Sequence, residues 1–472
     1  MHFSILSSLL GHFLLLNPEI NICRNHPAVA IGPLEAHATA MPLPPIKGKQ
    51  KLDETWTHYD DIKNKEETII KYIAHAAPKS TYLILNSPAI ASFVLVKGWK
   101  NKESLQSLTA AVQSVVEHNP VLSGRATCAK NWWKDPTITI EMNGGTQKGQ
   151  SFVTVMDKSN ALPELPEDTA CQLAYIDKHI TPLVGKTDST LHQIETKSPL
   201  FEVKVVLLPN NYACIYSKMS HCIGDFVTYY ELLDQISALD KGDTAKPINW
   251  DNPLKKDHEI FPEDLSRRDL ERLYGIPFIL GLATHMPVMP FRKQRVLLLS
   301  EDKVKEKKKE LKEKGYKGMT SNSIITAALC DANRSTDIFA MTRSMRGITP
   351  GLGLRDGGNL HCEIPFQRCA GRNPLVIQDI VEKGKYFEPG EVPFWSSVTG
   401  KVGRISNCVV PMNHMSFGGC QPICYCPAKS FLDFTPLDTA VIFRVSKGQD
   451  AVLHNFQNMK TSGMLNDLLL ED

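Results

Sequence analysis

The sequence predicts an α/β protein made of two similar lobes, each with a β-sheet and flanking helices, and three observations support this fold class. A chain of 472 residues is too long for a single core of ordinary size, so two domains are expected. Strand-like and helix-like segments alternate in both halves of the chain. Between the halves, residues 247–290 are rich in proline and charge, which is typical of a connection between domains.

These observations divide the chain into four parts. Residues 1–50 are interpreted as a leader or a disordered N-terminus, and the proline-rich stretch at 41–45 connects them to the first lobe. Residues 51–246 are the N-terminal lobe and carry the candidate chemistry described below. Residues 247–295 are the crossover linker, and residues 296–472 are the C-terminal lobe.

The composition is that of an ordinary globular protein, with 42% hydrophobic and 22% charged residues. Because 53 basic residues nearly balance 51 acidic ones, we expect no nucleic-acid partner. The apolar run at 3–16 is shorter than the roughly 20 residues that span a bilayer, so we expect no transmembrane segment. Twelve scattered cysteines indicate reduced thiols and a cytoplasmic location; an organellar or secretory leader at the N-terminus is the alternative.

In the N-terminal lobe, the spacing of apolar residues predicts the helices and strands. Leu105, Leu108 and Val112 recur at helical intervals, and Pro120 ends that helix. The segment 55–76 is expected to be helical or irregular. The predicted strands are 90–96, 137–142, 201–208 and 212–219, and the predicted helices are 102–118 and 227–238.

The C-terminal lobe repeats this mixture of strands and helices. Residues 302–315 form a highly charged run whose lysine and glutamate spacing favours a solvated helix. Thr320 is in position to cap a helix over 323–332. The predicted strands are 338–345, 360–365, 402–410, 439–445 and 451–456, the last two as a hairpin, and a closing helix is expected over 456–470.

One short segment is the candidate for chemistry. His221 follows the strand 212–219, and Asp225 opens the helix after it, so both lie where strand-end loops present reactive side chains. Chance alone gives ~0.8 His-x-x-x-Asp spacings in a chain of this composition, so the spacing by itself is a weak signal. Asp225 is explained equally well as a helix N-cap, and His221 as an interior histidine. The functional alternative is that His221 removes a proton from an acceptor attacking an acyl carbonyl.

Several stretches together resemble one known superfamily. His221-x-x-x-Asp225 follows Ser198-Pro199-Leu200-Phe201-Glu202-Val203 and a pair of strands, the helix over 105–118 leads into a His-Asn-Pro-Val-Leu-Ser-Gly-Arg segment ending at residue 125, and Gly358-Asn359 precedes a strand. This combination is similar to the chloramphenicol-acetyltransferase-like (CAT-like) acyltransferases. That superfamily includes the plant BAHD acyltransferases, peptide-synthetase condensation domains and wax-ester synthases. The similarity extends in short patches over residues 80–470.

The sequence also departs from the named branches. Phe226 stands where the superfamily commonly has glycine or alanine, and Ser220 stands where condensation domains and wax-ester synthases usually have a second histidine. The Asp-Phe-Gly-Trp-Gly motif of the plant family is absent, and Ser416-Phe417-Gly418-Gly419 is only a faint echo of it. No branch, and therefore no substrate, is assigned.

The resemblance implies two CAT-like lobes with an active-site channel between them. It implies His221 as the general base and Asp225 as its structural partner. In the family this aspartate pairs with an arginine, for which Arg346 is the candidate and Arg125 the rival. The candidates for substrate binding or for the oxyanion donor are Ser406, Asn407 and Asn359.

Two further patterns were weighed against ordinary packing. Cys420-x-x-x-Cys424-x-Cys426 lacks the second ligand pair of a structural zinc site, so no metal is expected. Cys222 beside His221 is a conceivable nucleophile, but neighbours at a strand end point apart.

The sequence therefore predicts an acyltransferase that moves an acyl group from a thioester to a hydroxyl or amine. It is expected to be a monomer with no bound cofactor, to use acyl-CoA as co-substrate and to bind a small-molecule acceptor. Two alternatives stay open. One is a catalytically silent two-lobed protein that binds a small molecule or a carrier protein, and the other is a condensation enzyme that uses carrier-bound donors.

Overall fold

Two large β-sheets and one small sheet form the framework of the chain in a computed structural model. The structure describes residues 70–74, 88–128, 138–142, 151–185, 187–250, 292–316, 318–388, 390–410, 414–429, 437–460 and 463–470, with six isolated residues between them. All of them belong to the unit Tyr59–Asp472. The expected leader at 1–50 and most of the expected linker at 247–295 lie outside the described residues.

The described strands are numbered in chain order. They are β1 (Ile70–Ala74), β2 (Ile90–Lys97), β3 (Arg125–Cys128), β4 (Ile138–Met142), β5 (Val153–Asp157), β6 (Phe201–Leu208), β7 (Tyr212–Met219), β8 (Arg295–Leu298), β9 (Ile338–Ser344), β10 (His361–Gln367), β11 (Val402–Asn407), β12 (Pro422–Pro427), β13 (Asp438–Ser446) and β14 (Gln449–His454). The first sheet has the order β12-β2-β7-β6-β5, the second β10-β9-β11-β13-β14-β8, and the small one β1-β4-β3.

The helices pack on these sheets. They are α1 (Asn101–His118), α2 (Thr169–Tyr175), α3 (Thr181–Val184), α4 (Thr190–Thr196), α5 (Phe226–Asp240), α6 (Glu301–Glu313), α7 (Ser321–Ala332), α8 (Arg368–Gly371), α9 (Pro374–Lys383), α10 (Phe394–Val398) and α11 (Met464–Leu468). A π-helical turn, Ile176–Ile180, joins α2 to α3. Among the described residues, no helix is long and apolar enough to cross a membrane.

The first sheet takes one strand from the far end of the chain. β12, from the C-terminal half, pairs antiparallel with β2, which in turn pairs with β7. The second residue of β7 and every residue after it are buried, because β7 has a neighbouring strand on each side and packing on both faces. The strand that leads to His221 is thereby fixed from all sides.

The two sheets share a hydrophobic core. Along β13, Val441 and Phe443 belong to the core of the first sheet, while Ala440 and Ile442 belong to the core between the second sheet and its helices. Since successive side chains of a strand point to opposite faces, the second sheet is buried on both sides over this stretch. The first lobe therefore packs directly on one face of the second sheet.

Most of the predicted elements agree with the structure within one to three residues, and β6 and β7 agree at both ends. The closing helix expected over 456–470 is wrong except for α11. Residues 455–460 instead exchange backbone hydrogen bonds with Thr439, Arg334 and Ala332, and these bonds replace those of a helix. The segment 55–76 contains a strand, β1, where a helix or irregular structure was expected.

Candidate active site

His221 lies in a tight turn directly after the buried strand β7. The backbone N–H of Ser220 donates to the carbonyl of Leu200 at 2.7 Å, which ties the end of β7 to the start of β6. On the other side, the side-chain amide of Asn359 donates to the backbone carbonyl of His221 at 2.8 Å. The turn is thus held by one lobe from behind and by the other lobe from across the interface.

The environment of His221 favours the neutral imidazole. The residue is half-buried, and its Nδ1 atom is fully buried with no hydrogen-bond partner among the described residues. Burial and the nearby charge of His361 lower the pKa of His221 to about 4, although Asp225 and Asn359 oppose the shift. At neutral pH the imidazole is therefore unprotonated and is able to accept a proton.

Asp225 is both a helix cap and an ion-pair partner. Its Oδ1 accepts from the backbone N–H of Thr228 at 3.0 Å, which caps α5. The Arg346 guanidinium donates from Nη1 to Oδ2 at 2.8 Å and from Nη2 to Oδ1 at 3.0 Å. The backbone N–H of Leu360 donates to Oδ2 at 3.0 Å. The carboxylate is therefore satisfied by groups from both halves of the chain.

Arg346 is held in turn by acceptors around it. Its Nε donates to the carbonyl of Asp356 at 2.7 Å, and its Nη2 lies 2.9 Å from the carbonyl of Gly358 and 2.8 Å from the hydroxyl of Thr228. The side chains of Arg346 and Asp225 are only 2% and 7% exposed. We call this set of contacts, formed by Asp225, Thr228, Arg346 and Gly358, the interlobe clasp.

The clasp controls the charge of Asp225. Burial alone raises the pKa of this carboxyl, but the Arg346 guanidinium outweighs burial, and the neighbouring His361 acts in the same direction as Arg346. The net effect holds the pKa of Asp225 well below its usual range, so the group is ionised throughout the physiological range. Both carboxylate oxygens are engaged by the protein itself, which leaves Asp225 a structural role.

Two glycines are needed where the clasp closes. A Cβ atom on Gly224 would lie 2.7 Å from the Cβ and Cγ2 atoms of Thr228, which is closer than such atoms approach. Gly358 has φ +122°, a backbone conformation that L side chains rarely adopt. Both positions allow the backbone of one lobe to approach the clasp residues of the other.

The candidates on the second sheet occupy different faces. Cys362, Ile364 and Ile405 belong to the core of the second lobe, so their neighbours His361, Glu363 and Ser406 point to the opposite face, toward Asp225. The hydroxyl of Ser406 lies 2.9 Å from that of Thr342 on the same face.

Asn407 and Arg125 are placed differently. Asn407 alternates away from Ser406; it is exposed, and its Oδ1 accepts from the backbone of Val409. The guanidinium of Arg125 donates to the carbonyls of Ser123 and Gly124 in its own segment. The partner of Asp225 is thus Arg346, the first of the two arginines considered.

His361 was not among the residues singled out from the sequence. It is the first residue of β10, and its Nδ1 lies 3.7 Å from Oδ2 of Asp225. The signal that could have found it is its position two residues after Gly358-Asn359, at the start of a strand in the second lobe. A lone histidine at that point has no motif of its own, so the sequence alone did not raise it.

The cysteines are placed as packing residues. Cys222 is buried beside the hydroxyl of Ser220, and burial raises the pKa of its thiol to about 11. Cys424 and Cys426 lie in β12, where burial raises the pKa of Cys424 to about 12. In the described part of the chain, no group of three or more histidine, cysteine or carboxylate side chains is arranged to hold a metal ion.

A separate cleft of about 590 Å³ lies at the far end of the first sheet. Its lining includes Lys97 and Tyr212, at the ends of β2 and β7 remote from the histidine turn. At about 3.3 Å per residue, the length of β7 separates it from His221 by roughly 20 Å or more. This cleft therefore lies apart from the candidate active site.

Comparison with known proteins matches the fold and not the sequence. No protein-family model matches the chain, and no curated protein is significantly similar to it in sequence. Among solved structures, TRI101 of F. sporotrichioides, complexed with coenzyme A and T-2, superposes with a TM-score of 0.54 at 10% identity, over 86% of this chain and 99% of that one. Vinorine synthase gives 0.50 at 12% identity, over 85% and 96%.

Polyketide synthase associated protein 5 from Mycobacterium tuberculosis gives a TM-score of 0.50 at 12% identity, over 84% of this chain and 95% of that one. Matches that cover nearly the whole of each neighbour at so low an identity establish a common fold and nothing finer. They confirm the fold class predicted from the sequence. The chain has the two-lobed α/β fold of the chloramphenicol-acetyltransferase-like acyltransferase superfamily.

Proposed function

We propose that this protein is an acyltransferase, with His221 as general base and the interlobe clasp as the device that holds it. The observation that carries the proposal is the state of His221. It is a half-buried histidine at the end of a rigid strand, with its pKa lowered to about 4 and its backbone anchored by Asn359. Such a group is preorganised to accept a proton at neutral pH.

The reaction follows from the position of the base. His221 removes the proton from the acceptor's hydroxyl or amine as that atom attacks the thioester carbonyl carbon. The tetrahedral intermediate then collapses, the carbon–sulfur bond breaks, and His221 returns the proton to the departing thiolate. The proton balance closes without another reactant, and the products are the acylated acceptor and the free thiol.

Asp225 has a supporting role in this proposal. Its carboxylate is occupied by Arg346, Thr228 and Leu360, so it fixes the start of α5 and the turn next to it. A group whose oxygens are already engaged is available for holding the site and not for proton transfer.

Two polar side chains of the second lobe are assigned different roles. Ser406 lies on the sheet face that carries His361, and its hydroxyl is our candidate for stabilising the oxyanion. Asn359 already donates to the His221 carbonyl, which supports a positioning role for it.

Acyl-CoA is the proposed donor. The support is that TRI101, whose fold this chain shares, is complexed with coenzyme A and a small molecule. A donor carried on a protein is the alternative, and a comparison of the two donor types decides between them.

The test is a transfer assay in which the free thiol released from acetyl-, butyryl- and benzoyl-CoA is measured with a panel of small alcohols and amines. The expected result is turnover that His221→Ala lowers by about 10²- to 10⁴-fold, the usual contribution of a general base. Because His221 must be unprotonated, kcat/KM should be level around neutral pH and fall toward an acid limb near the pKa of about 4.

The matched control is His414→Ala, since His414 is exposed and pairs with Asp234 well along α5. This variant should keep the wild-type rate, and thermal melts should show both variants folded. Turnover that survives His221→Ala would refute the proposed base. Absence of any His221-dependent product with both CoA-bound and carrier-bound donors would identify a silent binding protein instead.

A further inference from the structure

His361 stands beside the proposed base without a role in the mechanism above. It begins β10, its side chain is 29% exposed, and its Nδ1 is buried 3.7 Å from Oδ2 of Asp225. That distance is beyond a hydrogen bond, and Nδ1 has no hydrogen-bond partner among the described residues. His361 is therefore close enough to act through charge while its ring stays free to gain or lose a proton.

The candidate active site concentrates buried polar atoms that lack partners in the described part of the chain. Nδ1 of His221, Oδ1 of Asn359 and Nδ1 of His361 are all of this kind. A buried polar atom without a partner is destabilising, and such atoms are kept in native structures mainly for function. Three of them on adjoining segments indicate a site whose residues are arranged for chemistry rather than for stability.

The charges around the two histidines do not allow both to be protonated easily. The Asp225 carboxylate is already neutralised by the bidentate Arg346 guanidinium. A proton on His361 therefore adds an unbalanced positive charge to the cluster. A second proton on the buried His221 would add another positive charge close to the first, and like charges in a buried site disfavour each other.

The remaining charged groups near His361 are paired elsewhere. Glu363, two residues along on the same face of β10, is bound to Arg404 at 2.9 Å. Arg343, opposite Cys362 on β9, belongs to the other face of the sheet. The groups that face His361 directly are thus Asp225, Arg346 and His221.

We propose that His361 is a positioning residue of the candidate active site: in its protonated form it keeps His221 unprotonated, so that the base remains available as the solution becomes acidic. This inference rests on the proposed function for its catalytic meaning. The electrostatic coupling between the two histidines is a property of the folded chain and is measurable without any substrate. The influence of His361 on the pKa of His221 acts in the same direction.

The competing explanation is that His361 only supports the shape of the site. Asparagine separates the two explanations, because its Nδ2 occupies nearly the place of the histidine Nδ1 and keeps a donor toward Asp225 but never carries a charge. Glutamine serves as the second variant if His361→Asn does not fold.

The first measurement is an NMR titration of the imidazole resonances in the wild type, His361→Asn and the control His414→Asn. The His221 signal is assigned by its loss in His221→Ala. We expect His361→Asn to raise the titration midpoint of His221 by about one pH unit, the size of shift that a neighbouring charge produces. His414→Asn should leave it in place. An unchanged His221 midpoint in His361→Asn overturns the proposal.

The second measurement is the pH profile of kcat/KM. The acid limb of His361→Asn should move upward by the same amount, so that the variant loses up to about tenfold below the limb and keeps the wild-type value above neutral pH. A uniform loss at all pH values with an unmoved limb would show a structural role and overturn the proposal. If the wild type has no His221-dependent turnover, the proposed function fails, and the NMR midpoints still decide the coupling.

Discussion

Replacing Arg346 by methionine should weaken the fold strongly, because the substitution leaves a buried carboxylate without its cation. In Arg346→Met, Asp225 loses both donors of the bidentate pair and stays buried, since its own side chain is only 7% exposed. The carbonyls of Asp356 and Gly358 lose a donor as well. Breaking one side of a buried ion pair typically costs about 3–5 kcal/mol, and we expect a loss of that size in the free energy of unfolding.

The assay is urea denaturation followed by the fluorescence of the six tryptophans. The matched control is Arg355→Met, which breaks a second arginine–carboxylate pair with α5, that of Arg355 with Glu231 at 3.3 Å. Both partners there are partly exposed, at 38% and 29%, so the expected loss is at most about 1 kcal/mol.

A double-mutant cycle with Asp225→Asn tests whether the energy belongs to the pair. The substituted asparagine would keep an oxygen to cap α5 but would carry no charge, so the double variant should be less destabilised than the two single losses added together. The expected coupling energy is about 1–3 kcal/mol. Additive single losses, each below about 0.5 kcal/mol, would refute the reasoning that the clasp is a buried, coupled pair.

The pH dependence supplies a second check with a definite sign. Because the pKa of Asp225 is lowered in the folded protein, its contribution to stability is present above the unfolded value of about 3.9 and is lost as pH falls below it. In Arg346→Met, burial is unopposed and raises the pKa of Asp225, so the folded variant binds a proton below neutral pH. The difference in stability between the two proteins should therefore shrink as pH falls from 7 toward 4.

Two further substitutions test the surroundings of His221. Asn359→Ala removes the amide that donates to the His221 carbonyl at 2.8 Å and should lower kcat about tenfold with little effect on melting; a loss of 10²-fold or more, about the value for an oxyanion donor, would contradict a positioning role. Gly224→Ala places a Cβ 2.7 Å from Thr228 and should destabilise the fold by about 1–3 kcal/mol. Gly353→Ala is its control, since a Cβ there meets Asp356 only at ordinary contact distances of 3.8 Å and more, and equal losses in the two glycine variants would contradict the steric argument.

Local pattern was enough to predict the elements that carry His221. The strands β6 and β7 agree with the sequence prediction at both ends, and α5 begins one residue after Asp225, as its capping role required. Apolar alternation, a turn and an N-cap are properties of neighbours in the chain, so they are readable without the fold.

Elements that depend on distant partners were less predictable. β12 was missed because a short apolar segment with three cysteines carries no clear period, and it becomes a strand by pairing with β2, more than 300 residues earlier. The closing helix was overpredicted because the apolar spacing over 456–470 suits a helix, while 455–460 find backbone partners in other segments.

The sequence by itself determined two α/β lobes, the likeness to the superfamily and the candidate His221 with Asp225 at the start of its helix. Only the tertiary structure decided which arginine meets Asp225 and that His361 lies beside it. The physical reason is that these contacts join residues more than 100 positions apart, with Arg346 121 positions from Asp225. Such pairs exist only once both sheets have packed against each other, and no local pattern records them.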